Sequence, residues 1–374
     1  MPYLHGMEVR DVIIIGAGLA GLTAALELSK AGLDVLVFDK RTLPRHKVCG
    51  EYLSREVVPY LESLGISLQD APRIDHLLLS RVEGRTLENK LPLGGIGISR
   101  YALDHRLFEQ ARAHGAQFIW QAAESVRFEN NSFWVTSRGS DYRARQVIGC
   151  WGKRSNLDRS LKRSFFNRES PWMGIKMHYA AHYPANQVGL YCFKGGYGGL
   201  SVTETGAVNF CYLIHKERFR QTPDLDTCTE GLLEEHPSLA DVLGPATPLF
   251  KAALGISNIP FGAKSLVSEH VLLGGDAAQL IHPLCGNGMA MAIETGRIHG
   301  QVVTRFFEGN YRGRPEMEKH FQVIWRNKFA TRLRVGAFLQ RLLLNPNGME
   351  LGLRLASAAP LILKKIIQQT HGSP

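Results

Sequence analysis

Near its start the chain gathers apolar residues into blocks instead of alternating them. Residues 12–15 (Val-Ile-Ile-Ile) are uninterrupted, apolar and β-branched, the pattern of a strand covered on both faces. Glycines punctuate residues 16–21. A helical run over residues 19–30 then stops at Gly32, before a second apolar block at residues 35–38 that Asp39 closes. This order predicts strand, glycine turn, helix, strand. Residues 74–98 and 172–250 are rich in β-branched and aromatic types, with glycines at Gly84, Gly94-Gly95, Gly195-Gly196 and Gly206 where turns are expected. Such a pattern predicts antiparallel strands. Between these regions, residues 100–116 read as an amphipathic helix led by Arg100. A third buried block, residues 271–273, runs into Gly274-Gly275-Asp276, a glycine-bearing loop and an Ala/Met-rich helix from Met289.

From Lys319 the chain is helical, apolar and basic, broken at Pro346-Asn347-Gly348 and Pro360. Lys319, Arg326, Lys328, Arg332, Arg334, Arg341, Arg354, Lys364 and Lys365 are balanced there only by Glu350. Helices packed on a substrate domain with a solvated basic face are expected, and a peripheral membrane contact is the functional alternative. No stretch reaches the ~18 apolar residues of a membrane span, and the uncharged residues 12–26 are too short and too rich in glycine.

Composition changes this picture little. At 374 residues, 44% hydrophobic and 21% charged, the chain is ordinary globular material, long enough for two domains. Six scattered cysteines without CxxC spacing fit neither a zinc site nor a disulfide framework, so no metal and a reducing, cytoplasmic setting are expected. The net charge of +10 comes without a basic helix interleaved with aromatics, so no nucleic acid is expected. An anionic cofactor, an acidic substrate or an anionic membrane surface would suit it.

The chemistry starts at Gly16-Ala17-Gly18-Leu19-Ala20-Gly21. Gly16 allows a tight turn, Gly18 lets backbone approach a pyrophosphate, and Gly21 lets the helix pack on the sheet. The helix N-terminus offers free N–H groups to the phosphates. Asp39, with Lys40 beside it, lies where an acid can accept from a ribose. A dinucleotide site at Gly16, Ala17, Gly18, Ala20, Gly21, Asp39 and Lys40 is the reading.

Four segments together, residues 16–21 with Asp39, 44–53, 100–107 and 275–294, resemble the geranylgeranyl reductase group of FAD-dependent oxidoreductases, within the p-hydroxybenzoate hydroxylase fold group. The resemblance implies an α/β, Rossmann-like FAD-binding domain (residues 8–75, 98–158 and 262–310). It is interrupted by an antiparallel substrate sheet (76–97 and 159–261) and followed by a helical region (311–374). It implies that Asp276 accepts from the ribityl hydroxyls of FAD and that Gly286, Asn287, Gly288 and Met289 bring backbone to the flavin ring. By the same likeness Arg100 contacts FAD, and Lys47, Cys49 and Gly50 lie near the flavin's reactive face. Cys49 is the first candidate for a catalytic proton donor, its acidity set by Arg45, His46 and Lys47; a buried filler is the alternative. His282 is the second candidate. The chain departs from the group where Cys150-Trp151-Gly152 replaces an Asp-Gly pair. The group's Tyr-Gly-Trp-x-Phe-Pro substrate motif is reduced here to Tyr197-Gly198, with Phe193 upstream.

Two chemistries stay open: reduction or desaturation of a C=C bond in a hydrophobic isoprenoid or polyketide-like intermediate with NAD(P)H or another donor, and monooxygenation of an aromatic or polyketide substrate. A non-catalytic flavin binder is the third reading. A disulfide reductase would need a second nearby cysteine and a second glycine fingerprint. A halogenase would show Trp-x-Trp, whereas the five tryptophans here never fall two apart. Nothing in the sequence specifies the oligomeric state.

Overall fold

The computed structural model describes residues 8–82 and 86–344. Its first sheet has a parallel core in the order Val271–Leu273, Ser140–Gly149, Val9–Ile15, Val35–Phe38, Gln117–Ile119. Short Val267–Ser268 edges it, and the hairpin Ser125–Glu129/Ser132–Ser137 pairs with the end of Ser140–Gly149. The apolar block at residues 12–15 is almost completely buried, because strands flank it on both sides and helices cover the sheet.

Helix Leu19–Lys30 leaves the glycine turn and packs against helix Gly288–Phe307. The approach is close enough that a Cβ on Gly296 would lie 2.5 Å from the Ala20 carbonyl, and one on Gly300 would lie 2.4 Å from Glu27 Cβ. Two glycines on the late helix thus bring its N-terminal loop beside the first glycine turn, more than 250 residues earlier in sequence.

The second sheet runs in the order Thr247–Pro248, Trp172–Ala180, Val208–His215, Gly196–Val202, Gln187–Phe193, Arg73–Arg81, Thr86–Gly97, Tyr52–Ser54, with Leu254–Ser257 also on Trp172–Ala180. Four expectations are corrected here. The sheet is mixed, since Gln187–Phe193 pairs in parallel with Arg73–Arg81. It also draws in Tyr52–Ser54, which the expected boundary at residue 75 had left in the other domain. Residues 216–243, read as strand-rich, form helices Lys216–Phe219, Leu225–Glu235 and Pro237–Leu243, and the latter two cover one face of the sheet. Gly94 and Gly95 sit inside strand Thr86–Gly97 at a register shift, where Gly94 takes a φ of +71°, and form no turn.

Helix Arg314–Leu344 lies on helix Gly288–Phe307, so its main packing is on the first domain, where the substrate domain had been expected. Trp325 Nε1 donates to Thr295 Oγ1 at 3.2 Å, Lys328 pairs with Glu294, and Arg332 pairs with Glu56 at 2.9 Å. Two of the expected solvated cations are therefore turned onto buried acids. No described helix is long and apolar enough to cross a membrane. Gly84, Pro346-Asn347-Gly348, Glu350, Arg354, Pro360, Lys364 and Lys365 lie outside the described residues.

Candidate functional site

At the glycine turn each glycine meets a different neighbour. Gly16 has a φ of +112°, and a Cβ there would lie 2.2 Å from the Cys150 carbonyl; one on Gly21 would lie 2.0 Å from Gly16 O. These two glycines serve packing. Gly18 differs: a Cβ would meet within 4 Å only the Arg100 guanidinium, at 3.8 Å. The turn thus presents bare backbone across a narrow space to a cation. Asp104, fully buried, fixes that cation: Arg100 Nε and Nη2 donate to it at 2.8 and 2.9 Å, and Lys47 Nζ at 2.5 Å. Lys47 also donates to the Ala17 carbonyl at 3.1 Å. Burial alone would raise the Asp104 carboxyl, but the charges of Arg100 and Lys47 outweigh it and hold it below the usual range. Two cations on one buried carboxylate at a helix N-terminus form a ready anion cradle. The i,i+4 spacing of Arg100 and Asp104 was legible in the sequence, but only the fold brings Lys47 to them.

Asp39 accepts from Ala17 N–H at 2.8 Å and from Arg45 Nη2 on both oxygens, at 2.8 and 2.9 Å. Its carboxylate is shared with Arg45 rather than left free for a ribose. Lys40 lines an open, basic groove of about 470 Å³ with Arg41, Arg45, His46 and Trp120.

At the other end, Asp276 sits in the turn Gly275–Ala277, half-exposed to the cleft. Among the described residues nothing donates a hydrogen bond to its carboxylate. Burial pushes the carboxyl up, offset in part by the charges of Lys264, Arg100 and Lys153. Burial lowers Lys153 and Lys264 to about 8, which leaves both cationic at neutral pH. An unbonded carboxylate ringed by cations suits a polyol that donates to it. Ala20 packs against Gly275 across the cleft floor (3.3 Å from a Cβ built there), so the early and late motifs meet.

The late loop turns at Gly286, φ +60°, and Gly288 opens the helix in which Met289 is buried. Asn287 does not cap that helix. Its Nδ2 donates to Glu56 Oε1 at 2.8 Å, the same carboxylate that Arg332 binds, so Asn287 ties the loop down while the helix N–H groups stay available. His282 stacks on Phe261 at 4.4 Å, and burial lowers its imidazole to about 4. It is neutral at pH 7 and packed away, which argues against the proton-shuttling part expected of it.

Cys49 and Gly50 lie against one face of the second sheet. Pairing register places Lys176, Cys211, Gly199 and Leu190 side by side across four strands, with His178, Asn209 and Ser201 in the next row. The second row stitches down the turn: Asn209 Nδ2 donates to Cys49 O at 3.2 Å, Ser201 Oγ to Gly50 O at 3.0 Å, and His178 Nε2 meets Glu51 Oε2 at 2.7 Å. Lys176 Nζ, fully buried, donates to Glu51 Oε1 at 2.5 Å and to Lys47 O at 3.2 Å. Glu51 also accepts from Arg100 N–H at 2.7 Å and holds a φ of +55°.

Burial raises the Cys49 thiol, with Arg100 opposing. The expected neighbours Arg45 and Lys47 are engaged by Asp39 and Asp104 instead. On the same sheet face, next to Cys211, Gly199 is open: a Cβ there would meet only carbonyl oxygens, at 3.7 and 3.9 Å. Tyr197, Leu213, Cys192 and Ile259 continue this face as an apolar cluster toward Phe261 and Trp172. There a cavity of about 250 Å³ opens between the sheet and the long helix. Tyr197 is thus on the side that faces Cys49. Phe193 is not: it packs with Tyr212 under Arg218, beneath the helices on the opposite face, and a substrate role for it is withdrawn.

Sequence reasoning missed Glu51, Lys176 and His178. The signal was there in Trp172–Ala180, where Lys176 and His178 are polar at i and i+2 in an otherwise apolar strand. That spacing puts both on one face. Among the described residues, His46, Glu51 and His178 are the grouping whose ligand atoms approach within 4.8 Å of one another, but the Lys176 ammonium bound to the same carboxylate disfavours a metal cation there.

Known proteins bear on this arrangement. Menaquinone reductase of Mycobacterium tuberculosis (strain CDC 1551 / Oshkosh) is 28% identical over 316 residues, covering 78% of this chain and 76% of the relative. Digeranylgeranylglycerophospholipid reductase 2 of Methanopyrus kandleri is 27% identical over 340 residues, covering 85% and 83%. Among solved structures, a geranylgeranyl bacteriochlorophyll reductase-like protein from Thermoplasma acidophilum superposes with a TM-score of 0.76 at 19% identity, over 96% of this chain and 99% of that one. A flavin-dependent brominase does so with a TM-score of 0.77 at 16% identity, over 97% and 93%; at such identities these two speak for the fold alone. A family model described as FAD binding domain matches residues 10–297. With the glycine cradle and the late Asp276 turn joined on one cleft, the chain belongs to this FAD binding domain family and is an FAD-dependent oxidoreductase.

Proposed function

We propose that this oxidoreductase reduces a C=C bond in a hydrophobic, isoprenoid-bearing biosynthetic intermediate, with NAD(P)H as the electron donor. The carrying observation is a thiol kept protonated by burial, on a turn pinned to the sheet face that Tyr197 and Gly199 share. The relatives named as menaquinone and digeranylgeranylglycerophospholipid reductases support the substrate class.

In this reading Gly18, the N-terminus of Leu19–Lys30, Arg100 and Lys47 would hold the pyrophosphate, Asp276 the ribityl hydroxyls, and the backbone at Gly286–Met289 the flavin ring. Bound FAD, once reduced, supplies a hydride. Tyr197 and the sheet face orient the apolar substrate over Gly199 and exclude water, and Cys49 Sγ–H gives the proton that completes saturation of the bond. Anaerobic single turnover with dithionite-reduced enzyme tests this. Saturated product without oxygen is expected, whereas strict oxygen dependence with one ¹⁸O incorporated means hydroxylation and overturns it.

Two variants probe the parts. Asp276→Ala should weaken FAD affinity about tenfold to a hundredfold, the loss of a charge-assisted hydrogen bond worth ~1.5–3 kcal/mol, while the melting temperature of the flavin-free protein holds. Unchanged affinity in a flavin fluorescence titration would remove Asp276 from the site. Gly199→Leu should leave flavin binding intact and raise KM for the isoprenoid substrate about tenfold, since a side chain placed in the space the substrate would fill typically costs ~1–3 kcal/mol in overpacking; an unaltered KM would move the substrate elsewhere.

The same reading has the greasy substrate arrive from an anionic bilayer. Phe338, 61% exposed, lies on one face of the long helix with Arg334 and Arg341. Phe338→Ser should lose co-sedimentation with anionic vesicles, and equal sedimentation of both proteins would discard the contact.

A further inference from the structure

Glu51, Lys176 and His178 are too thoroughly buried for a surface ion pair, and packing alone does not require them. Taking such charges out of water costs several kcal/mol per ion, so an apolar trio would hold the turn to the sheet at least as well. Burial would raise Glu51, yet hydrogen bonding from His178 and the charge of Lys176 keep it below the usual carboxylate range. The cluster does not stop there. His46 meets His178 edge-on at 5.1 Å, lies tilted against Phe250 at 4.5 Å and stacks on Tyr101 at 4.8 Å. Its Nδ1 is buried with no hydrogen-bond partner. The same imidazole lines the basic groove with Lys40 and Arg45. At the other end Glu51 and Lys176 act on the Cys49 thiol, and the Glu51 N–H points to it. Ionisable groups therefore reach from an open groove to the turn that carries the sulfur, joined by hydrogen bonds from His178 through Glu51 to Lys176 and by ring contact alone between His46 and His178.

We propose that His46, His178, Glu51 and Lys176 form a proton relay that reloads Cys49 from solvent after each turnover. It rests on Cys49 being the proton donor of the proposed reduction. A proton from water enters at His46, crosses to His178 by way of a water that spans the gap of up to 4.8 Å between their ligand atoms, and leaves from His178 Nε2 to Glu51 Oε2. A proton of the Glu51–Lys176 pair then reaches the Cys49 thiolate. One S–H bond forms, one water becomes hydroxide, and no electrons move. His46 is lowered by burial and then by the charges of Lys176 and His178, with Glu51 and Glu204 opposing. It is thus neutral at pH 7, and a proton taken up there is readily passed on.

His46→Ala is the test, because His46 is only half-buried and its loss spares the Glu51–Lys176 pair. In anaerobic turnover the steady-state rate should fall about tenfold, and far more than the first-turnover rate, since Cys49 enters the first cycle protonated. Added imidazole should restore the steady state, as small bases do where a proton carrier has been removed. Equal losses in the two phases, or no rescue by imidazole, overturn the relay. If wild-type enzyme makes no product without oxygen, it is the reductase reading that fails, and the two failures are distinct.

A second readout needs no flavin. In Glu51→Gln, alkylation of Cys49 by iodoacetamide, followed by peptide mass spectrometry across pH, should reach its midpoint about one unit lower. The carboxylate is gone while Arg100 and Lys176 still face the sulfur, with Cys211 beside it. An unmoved midpoint in a folded variant breaks the link between the cluster and the thiol. Should Glu51→Gln not fold, Lys176→Met carries the same readout with the opposite sign, because it removes a cation from the thiolate's surroundings.

Discussion

Gly18→Val protein should purify colourless, with FAD affinity reduced at least a hundredfold and the fold intact. The last part of that expectation comes from the turn's own geometry. Valine at Gly16 or Gly21 would collide with backbone at 2.2 or 2.0 Å, but at Gly18 the nearest atom is the Arg100 guanidinium at 3.8 Å. The new side chain would occupy the space between bare backbone and cation, where a pyrophosphate must approach. A hundredfold loss is ~2.7 kcal/mol, within what a blocked pyrophosphate contact should cost. Absorbance at 450 nm per mole of protein and circular dichroism decide it together. Full flavin occupancy in a folded Gly18→Val protein would move the cofactor off this turn, and the site built on it would go too.

That contrast shows what the sequence could and could not say. Gly16 and Gly21 carry local requirements, a positive φ or a close contact, and Gly18 leaves bare backbone between them, so residue type and spacing identified the turn. Asp276 was legible for the same reason, as a carboxylate at a strand end beside small residues. Face assignment was harder. Phe193 and Tyr197 look equivalent in sequence, but the hairpin at Gly195 pairs Phe193 with Gly196 and Tyr197 with Cys192. Adjacent pairs point to opposite faces, so one aromatic faces Cys49 and the other the helical layer. That register is set by the whole sheet. Residues 52–54 are too few to announce a strand, and their membership depends on Thr86–Gly97 being there to pair. Glu51 was hidden twice over. Its left-handed backbone is imposed by tertiary packing, and its partners Lys176 and His178 lie 125 and 127 residues away.

Cys49→Ser should bind FAD normally and accept electrons normally, yet form product about a hundredfold more slowly, the lower end of the ~10²–10⁴ range for general-acid help. A serine hydroxyl is nearly isosteric with the thiol, and the Asn209 and Ser201 bonds go to backbone carbonyls that the substitution leaves untouched. Packing is therefore preserved while acidity falls, which separates a proton donor from a buried filler. Direction matters here. Burial holds the thiol above its ordinary range, so at pH 7 it is S–H in the resting protein, the form a donor needs. A thiolate nucleophile would need the opposite shift. The rate of the Cys49→Ser enzyme should accordingly remain low throughout pH 6 to 8, a range in which the raised wild-type thiol stays protonated. The measurement is anaerobic single turnover of dithionite-reduced enzyme, with product and flavin oxidation followed together. If Cys49→Ser reduces substrate within about twofold of wild type, the thiol is packing material. The proton then comes from another group on that face, and Tyr197 is the first to test.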